Sequence, residues 1–398
     1  MNQLEVYQFI GRTLSPYSNM DSNIVCAQQI MHRELDWERI ISIATGHLVA
    51  PALYASLLRK DFLKLLSEEL QHYFHTMYSY NTQRNVGLNG QIEELLHYLP
   101  PGAILLKGGA SLTSELYSQV GERVMRDLDI LVKIESMHST VKQLFSIGYR
   151  YCELDSLPAP PLDEQEDPIE ALNARGLGYM HHIYPLVHPK HNASVELHRQ
   201  PLLQLGEREL LSSGEAFSNA VQCKNLKMLS IEHRLLHNFF HAQIQDRNGL
   251  LGKIDLMQAY EFVQLVYRHQ GAVQWDQLQR RVKECGLEIH FQVYLLYVED
   301  YFYCPIPENT SISRRSRRII KRQQLLEKYK VLRIIHGPTM LFVFSICREL
   351  SPIRVKEKYG PISFVIAYLM AITTLPFRLL KPGTIKATFR QLRDSFRG

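Results

Sequence analysis

One run constrains this 398-residue chain more than any other: Leu105 to Val132, LLKGGASLTSELYSQVGERVMRDLDILV. It opens as a short apolar strand, turns at Gly108-Gly109, passes a small-residue helix start, and ends in Asp127-Leu128-Asp129 within an apolar run. Successive strand side chains point to opposite faces. Asp127 and Asp129 therefore share one face, and Leu128, Ile130 and Val132 the other. Two carboxylates on an otherwise hydrophobic strand are costly to bury unless a cation binds them. A hard divalent ion takes oxygen ligands and suits such a pair. A glycine turn leading into a helix presents free backbone N–H groups and the positive end of the helix dipole, which suits a phosphate. A phosphate cradle followed by a metal-binding aspartate pair implies nucleotidyl transfer.

The rest of the chain is organised around that run. Residues 1–102 read as an N-terminal helical region. ERIISIATGHLVAPALYASLL has apolar residues at helical spacing, and a longer pattern runs from about Leu63 to Leu99 before Pro100-Pro101-Gly102 ends it. Residues 103–205 change character. AILLK and RDLDILVK read as strands, Ala110–Gln119 and Ser136–Ser146 as helices, and about Tyr149–Glu153 as a strand. DSLPAPPLDEQEDPIEALNARG is a polar, proline-rich loop. GYMHHIYPLVHP and ASVELHRQ form a hairpin around Lys190-His191-Asn192. Residues 206–310 return to amphipathic helices, and 311–398 form a basic helical tail. The expected class is α+β: a small mixed-sheet core flanked by N-terminal helices and a C-terminal helical bundle.

Charge divides the chain unevenly. Residues 311–398 hold 19 Lys/Arg against 4 Asp/Glu, whereas the preceding 310 residues hold 26 basic and 36 acidic ones. Such a tail calls for an anionic partner. Ile362–Phe377, ISFVIAYLMAITTLPF, lies in it and is sixteen residues without a charge. That is shorter than the roughly 20 residues a spanning helix needs, so an interfacial segment on an anionic membrane surface is expected. The acidic body should repel a nucleic-acid backbone, and aromatic residues are not interleaved with the tail's arginines, so nucleic acid is not the expected partner. Six scattered cysteines without a C-x-x-C pair fit a reducing compartment, and MNQLEVYQFIGRTL lacks the pattern of a signal peptide. The expected location is cytoplasmic, peripheral at the inner membrane face.

Several residues together resemble a known family. Lys107-Gly108-Gly109, a helix containing Tyr117, then Arg123, then Asp127-x-Asp129 on a strand, then Glu196-Leu197-His198 on a later strand, are similar to the uncharacterised nucleotidyltransferases of the DNA polymerase β superfamily. Asp36-Trp37, Asn85 and the helical stretch from Leu229 to Asp255 support the resemblance, which covers roughly residues 30–300. It implies a nucleotidyltransferase core holding a glycine turn, an aspartate pair and a third carboxylate on a neighbouring strand. The superfamily usually has Gly-Ser after the first strand. Here the turn is Lys107-Gly108-Gly109-Ala110-Ser111, so the phosphate-contacting hydroxyl is displaced.

The resemblance assigns roles. Asp127, Asp129 and Glu196 would hold Mg²⁺ and form the catalytic set, with Glu196 as third ligand or as base for an acceptor hydroxyl. Gly108, Gly109 and Ser111 would receive the triphosphate of an NTP. Lys107 and Arg123 would neutralise phosphate charge; a simple cap on the strand is the equal alternative for Lys107. The reaction implied moves NMP to a hydroxyl on a sugar, small molecule or protein. The alternative is a non-catalytic copy of the fold, recruited to a membrane by its tail. Each motif also has a plainer reading: a solvated edge strand, a simple turn, a solvated basic helix face. His181, His182, His188 and His198 read as structural histidines, with His198 on the Glu196 face. His237 and His241, four apart on a helix without an H-E-x-x-H pattern, read as core or as neighbours of the site.

Overall fold

The computed structural model describes residues 1–32, 35–152, 166–203, 209–246 and 248–350. The strands are β1 (Ile104–Leu105), β2 (Asp127–Leu131), β3 (Arg150–Tyr151), β4 (Leu186–Val187), β5 (Ser194–His198), β6 (Val221–Cys223) and β7 (Leu226–Met228). They make one mixed sheet in the order β3-β4-β5-β2-β1-β7-β6. β2 runs antiparallel to β1 and parallel to β5, and β1 runs parallel to β7. Helices precede and follow this sheet, so the class is α+β, as the order of apolar patterns indicates.

The centre of the sheet is where apolar alternation is strongest. Leu128, Ile130, Val195 and Leu197 are buried from one face of β2 and β5 in a core shared with Leu144, Phe145 and Tyr184. A second core joins the N-terminal helices to the helical region after the sheet, through residues such as Ile10, Leu53, Phe239, Phe262 and Tyr301. The loop ahead of β2 is fixed from outside the sheet. Helix Glu68–Leu95, N-capped by Ser67, carries the buried amides Asn81 and Asn85 on the side of that loop. Asn81 Nδ2 donates to the Gly121 and Arg123 carbonyls, and Asn85 Nδ2 to those of Val120 and Arg123, at 2.6–3.1 Å. Asp36 caps helix Trp37–Gly46, and Trp37 packs edge-on against Phe9 and Phe74.

Three local expectations are corrected. The first helix of the core runs Lys107–Thr113 instead of Ala110–Gln119, because the chain turns straight from β1 into it. The hairpin β6–β7 interrupts the stretch read as continuous helix, and Lys224 takes a positive φ of 53° at its tight turn. Pro168–Ala174 is helical inside the polar loop, started by the Asp167 cap and a proline in the first turn. The remainder of that loop, residues 153–165, and the apolar run 362–377 lie outside the described residues. The hairpin expected around Lys190-His191-Asn192 is present, with Leu186 opposite Val195 and His182 bridging His198. Among the described residues, no helix is long and apolar enough to cross a membrane.

Candidate active site

Register builds the site. In the parallel pair β2–β5, Asp127 lies opposite Ser194, Asp129 opposite Glu196 and Leu131 opposite His198. Asp129 and Glu196 therefore stand side by side on one face, at the roughly 4.8 Å spacing of neighbouring strands. Carboxylate oxygens of both and a ring nitrogen of His198 lie within 4.8 Å of one another. Asp127 is outside that cluster, at the start of the strand, where it lines an open cleft of about 190 Å³.

Asp129 is the centre of charge. Its side chain is 2% exposed, and its Oδ1 accepts from Lys107 Nζ at 2.6 Å and pairs with His198 Nε2 at 2.8 Å. Burial alone would push this carboxyl up. The Lys107 ammonium and the His198 ring overcome that and hold it well below the usual carboxylate range. Asp127 goes the other way: burial and the neighbouring Asp129 charge raise it, against Lys107. Burial works against the Glu196 charge too, but His198 and His182 keep it below its ordinary value. Burial lowers His198, while its bonds to Asp129 and Glu196 more than reverse the effect. Burial and the neighbouring His198 and His182 push His181 down to about 2, so it packs as a neutral ring.

The glycine turn is built by close packing. Lys107 begins its helix at a φ of 44°, in the left-handed region that L residues occupy at a cost. A Cβ on Gly108 would meet Met125 Sδ at 2.9 Å, and one on Gly109 would meet Leu105 Cδ1 at 2.9 Å. A side chain at either position would have to displace the tip of Met125 or of Leu105, so a strand residue and a loop residue both press on the turn.

Two residues expected to meet phosphate are engaged elsewhere. Ser111 is fully buried; its hydroxyl donates to Glu261 Oε1 at 3.0 Å and accepts from Arg234 Nη2 at 3.0 Å. Arg123 Nε donates to Glu261 Oε2 at 2.9 Å. Tyr117 adds its hydroxyl to the same carboxylate at 3.2 Å. Glu261 is the residue the sequence reading passed over. Its signal was there: a lone acid within the apolar helix Leu256–Arg268.

That helical region also lines the cleft. Helix Ile231–Phe240 continues as one π-turn, His241–Gln245, a distortion common at functional sites. His241 Nδ1 pairs with Asp246 at 3.2 Å, and both line the cleft with Asp127 and Asp129. Asp255, which caps Leu256–Arg268, lines it as well. His237 is buried with Nε2 against the Pro201 carbonyl at 2.9 Å, a core position as expected. His188 Nε2 likewise meets the Ile147 carbonyl at 3.0 Å.

A carboxylate–imidazole cluster, with Asp129 and His198 buried and Glu196 partly so, thus sits on adjacent parallel strands beside a helix that starts at a glycine turn. Residues 33–303 match the family described as uncharacterised nucleotidyltransferase, and the chain belongs to that family. No curated protein and no solved structure matches it.

Proposed function

We propose that this protein is a Mg²⁺-dependent nucleotidyltransferase that moves NMP from an NTP to an acceptor hydroxyl and releases pyrophosphate. The observation that carries this reading is the register of β2 on β5, which sets Asp129 beside Glu196. The donor set suits the ion. Asp129 and Glu196 are both kept ionised, carboxylate oxygens are the ligands a hard divalent cation takes, and His198 stands against both. Asp127, Asp129 and Glu196 would hold Mg²⁺, which when bound would stabilise charge on the reacting phosphate.

The chain's own residues would do the rest. The helix after β1 leaves its first backbone N–H groups without intrahelical partners, and Gly108 and Gly109 keep side chains away from them. The triphosphate would lie there. Ser111 and Arg123, tied to Glu261, would hold the shape of that turn and of the loop before β2. Lys107 would exchange Asp129 for a phosphate oxygen. Asp127, whose affinity for a proton is raised, faces the cleft where an acceptor hydroxyl would enter.

A second reading is supported by one observation: Lys107 and His198 already neutralise Asp129. On that reading the fold is a binding module without catalysis. Calorimetric titration of Mg²⁺ and each NTP, with pyrophosphate release measured over an acceptor panel, separates the two. Catalysis predicts binding and turnover that Asp127→Asn/Asp129→Asn removes. Equal behaviour of wild type and variant would leave only the binding module.

A further inference from the structure

We infer that helices Arg314–Lys328 and Lys330–Glu349 form a docking surface for an anionic lipid bilayer. This inference is independent of the chemistry proposed for the sheet. The first helix uses one face to join the body. Ser316, Ile320, Gln323, Leu326 and Glu327 are buried. Ser316 Oγ donates to Gln292 Oε1 at 2.7 Å, and Tyr297 and Tyr301 donate to Glu327. Fixing that face turns the other one outward.

The outward face is basic, and of its cations Arg317 alone is close enough to acids of the body, Glu299 and Asp300, to act on them. Arg314, Arg315, Arg317, Arg318, Lys321 and Arg322 are all exposed. None of them makes an ion pair with an acid among the described residues. The helix's one acid, Glu327, is the buried one. Nor does the sequence that follows supply the missing charge: residues 351–398 hold nine Lys/Arg and two Asp/Glu.

The second helix adds apolar surface next to that charge. Val331, Ile335 and Phe342 are 68%, 61% and 55% exposed, and Leu332 and Val343 are exposed as well. Spacings of four and seven residues put Val331, Ile335 and Phe342 on one stripe of the helix, and Leu332 and Val343, each one residue further on, widen it to about a third of the circumference. The two helices meet at Tyr329, itself exposed and flanked by the exposed Lys328 and Lys330. Cations followed directly by an apolar helix face are the two elements an interfacial anchor needs. Helix Arg314–Lys328 contains no aromatic residue on which a base could stack, which sets it apart from a single-strand nucleic-acid groove. A surface role also fits helices that are not apolar enough to span a bilayer.

Flotation of the full chain with phosphatidylcholine vesicles, and with the same vesicles containing phosphatidylglycerol, tests the assignment. Binding is expected to the anionic vesicles alone and to weaken with added salt. Arg314→Gln/Arg318→Gln/Arg322→Gln removes three exposed cations spaced four apart. It is expected to lower partitioning on the order of a hundredfold, with the circular dichroism spectrum unchanged. Ile335→Ser/Phe342→Ser should weaken the binding that survives high salt. Equal binding to neutral vesicles, no binding to anionic ones, or full binding by the triple arginine variant would overturn the inference. Tighter binding to a duplex oligonucleotide than to the anionic vesicles would overturn it in favour of nucleic acid. Self-association through the stripe, or its cover by residues 351–398, would show as Ile335→Ser/Phe342→Ser changing oligomeric state or leaving vesicle binding intact, and either result counts against it.

Discussion

Asp129 in the sheet and Glu327 in the first tail helix are both almost wholly buried, at 2% and 3% exposure, yet their surroundings treat them differently. Asp129 meets an ammonium and an imidazole, and is held ionised far below the usual carboxylate range. Glu327 meets the hydroxyls of Tyr297 and Tyr301, which supply hydrogen bonds without an opposing charge. Burial therefore dominates there and raises its pKa to about 7, with the tyrosines and Arg333 only partly offsetting it. A buried carboxylate can thus be a site for exchanging cations or a latch between helices. The partner decides which: Lys107 can be traded for another cation, whereas two tyrosines offer nothing to trade.

That contrast can be broken in several ways. The largest effect is expected at Asp129. Asp129→Asn removes the charge that Lys107 and His198 share, so Mg²⁺ affinity and pyrophosphate release should fall about 10²–10³-fold. Leaving buried cations without their partner should also cost about 3–5 kcal/mol in urea unfolding. Wild-type Mg²⁺ affinity in this variant would refute the metal role of β2.

Next comes Glu261, a third buried acid, which faces Arg123 and Arg234 and is held below its ordinary value against the effect of burial. Glu261→Ala strands Arg123, which is 8% exposed, and should likewise cost about 3–5 kcal/mol. NTP affinity should drop with it, since Ser111 loses its acceptor. An unchanged unfolding midpoint would show that the glycine turn does not depend on the helical region.

Glu327 gives the pH test. Its folded pKa is raised from an ordinary 4.5 to about 7, so between these values the native state keeps a proton that the unfolded chain releases. Its contribution is complete below about pH 4.5 and is lost as pH rises through 7, at a cost of about 3 kcal/mol. Glu327→Gln should flatten this part of the stability–pH curve. A slope equal to wild type would mean that the tyrosine pocket does not retain the proton.

The smallest effect is expected at Lys107, and it has an unusual direction. Lys107→Met removes a cation that competes for Asp129, so Mg²⁺ should bind about tenfold tighter in the absence of nucleotide, or about 1.4 kcal/mol. Weaker binding would make Lys107 a support of the metal site instead of a competitor.

Much of this architecture was legible in the chain. Alternation in RDLDILVK placed Asp127 and Asp129 on one face, and the apolar neighbours Val195 and Leu197 put Glu196 on another such strand. These features persist because burying a period-two apolar pattern leaves a strand only one register for its polar side chains. The β6–β7 hairpin was missed because its strands are three residues each, too short for a period to stand out. The helix Pro168–Ala174 was missed because its Asp-Pro start reads equally well as a turn.

The sequence by itself determined the kind of charge available: two aspartates on one strand face, a third acid later, a lysine and glycines at a turn, and a basic tail after an acidic body. Tertiary structure alone decided which of these charges meet. Asp129 and Glu196 are 67 residues apart in sequence and adjacent only because β2 and β5 pair in register. Lys107 turns inward to Asp129, Ser111 and Arg123 are claimed by Glu261 from a distant helix, and Glu327 finds tyrosines where Asp129 finds cations. The physical reason is that residue type sets which interactions are possible. Burial makes each unpaired charge so costly that only the folded chain can settle who pairs with whom.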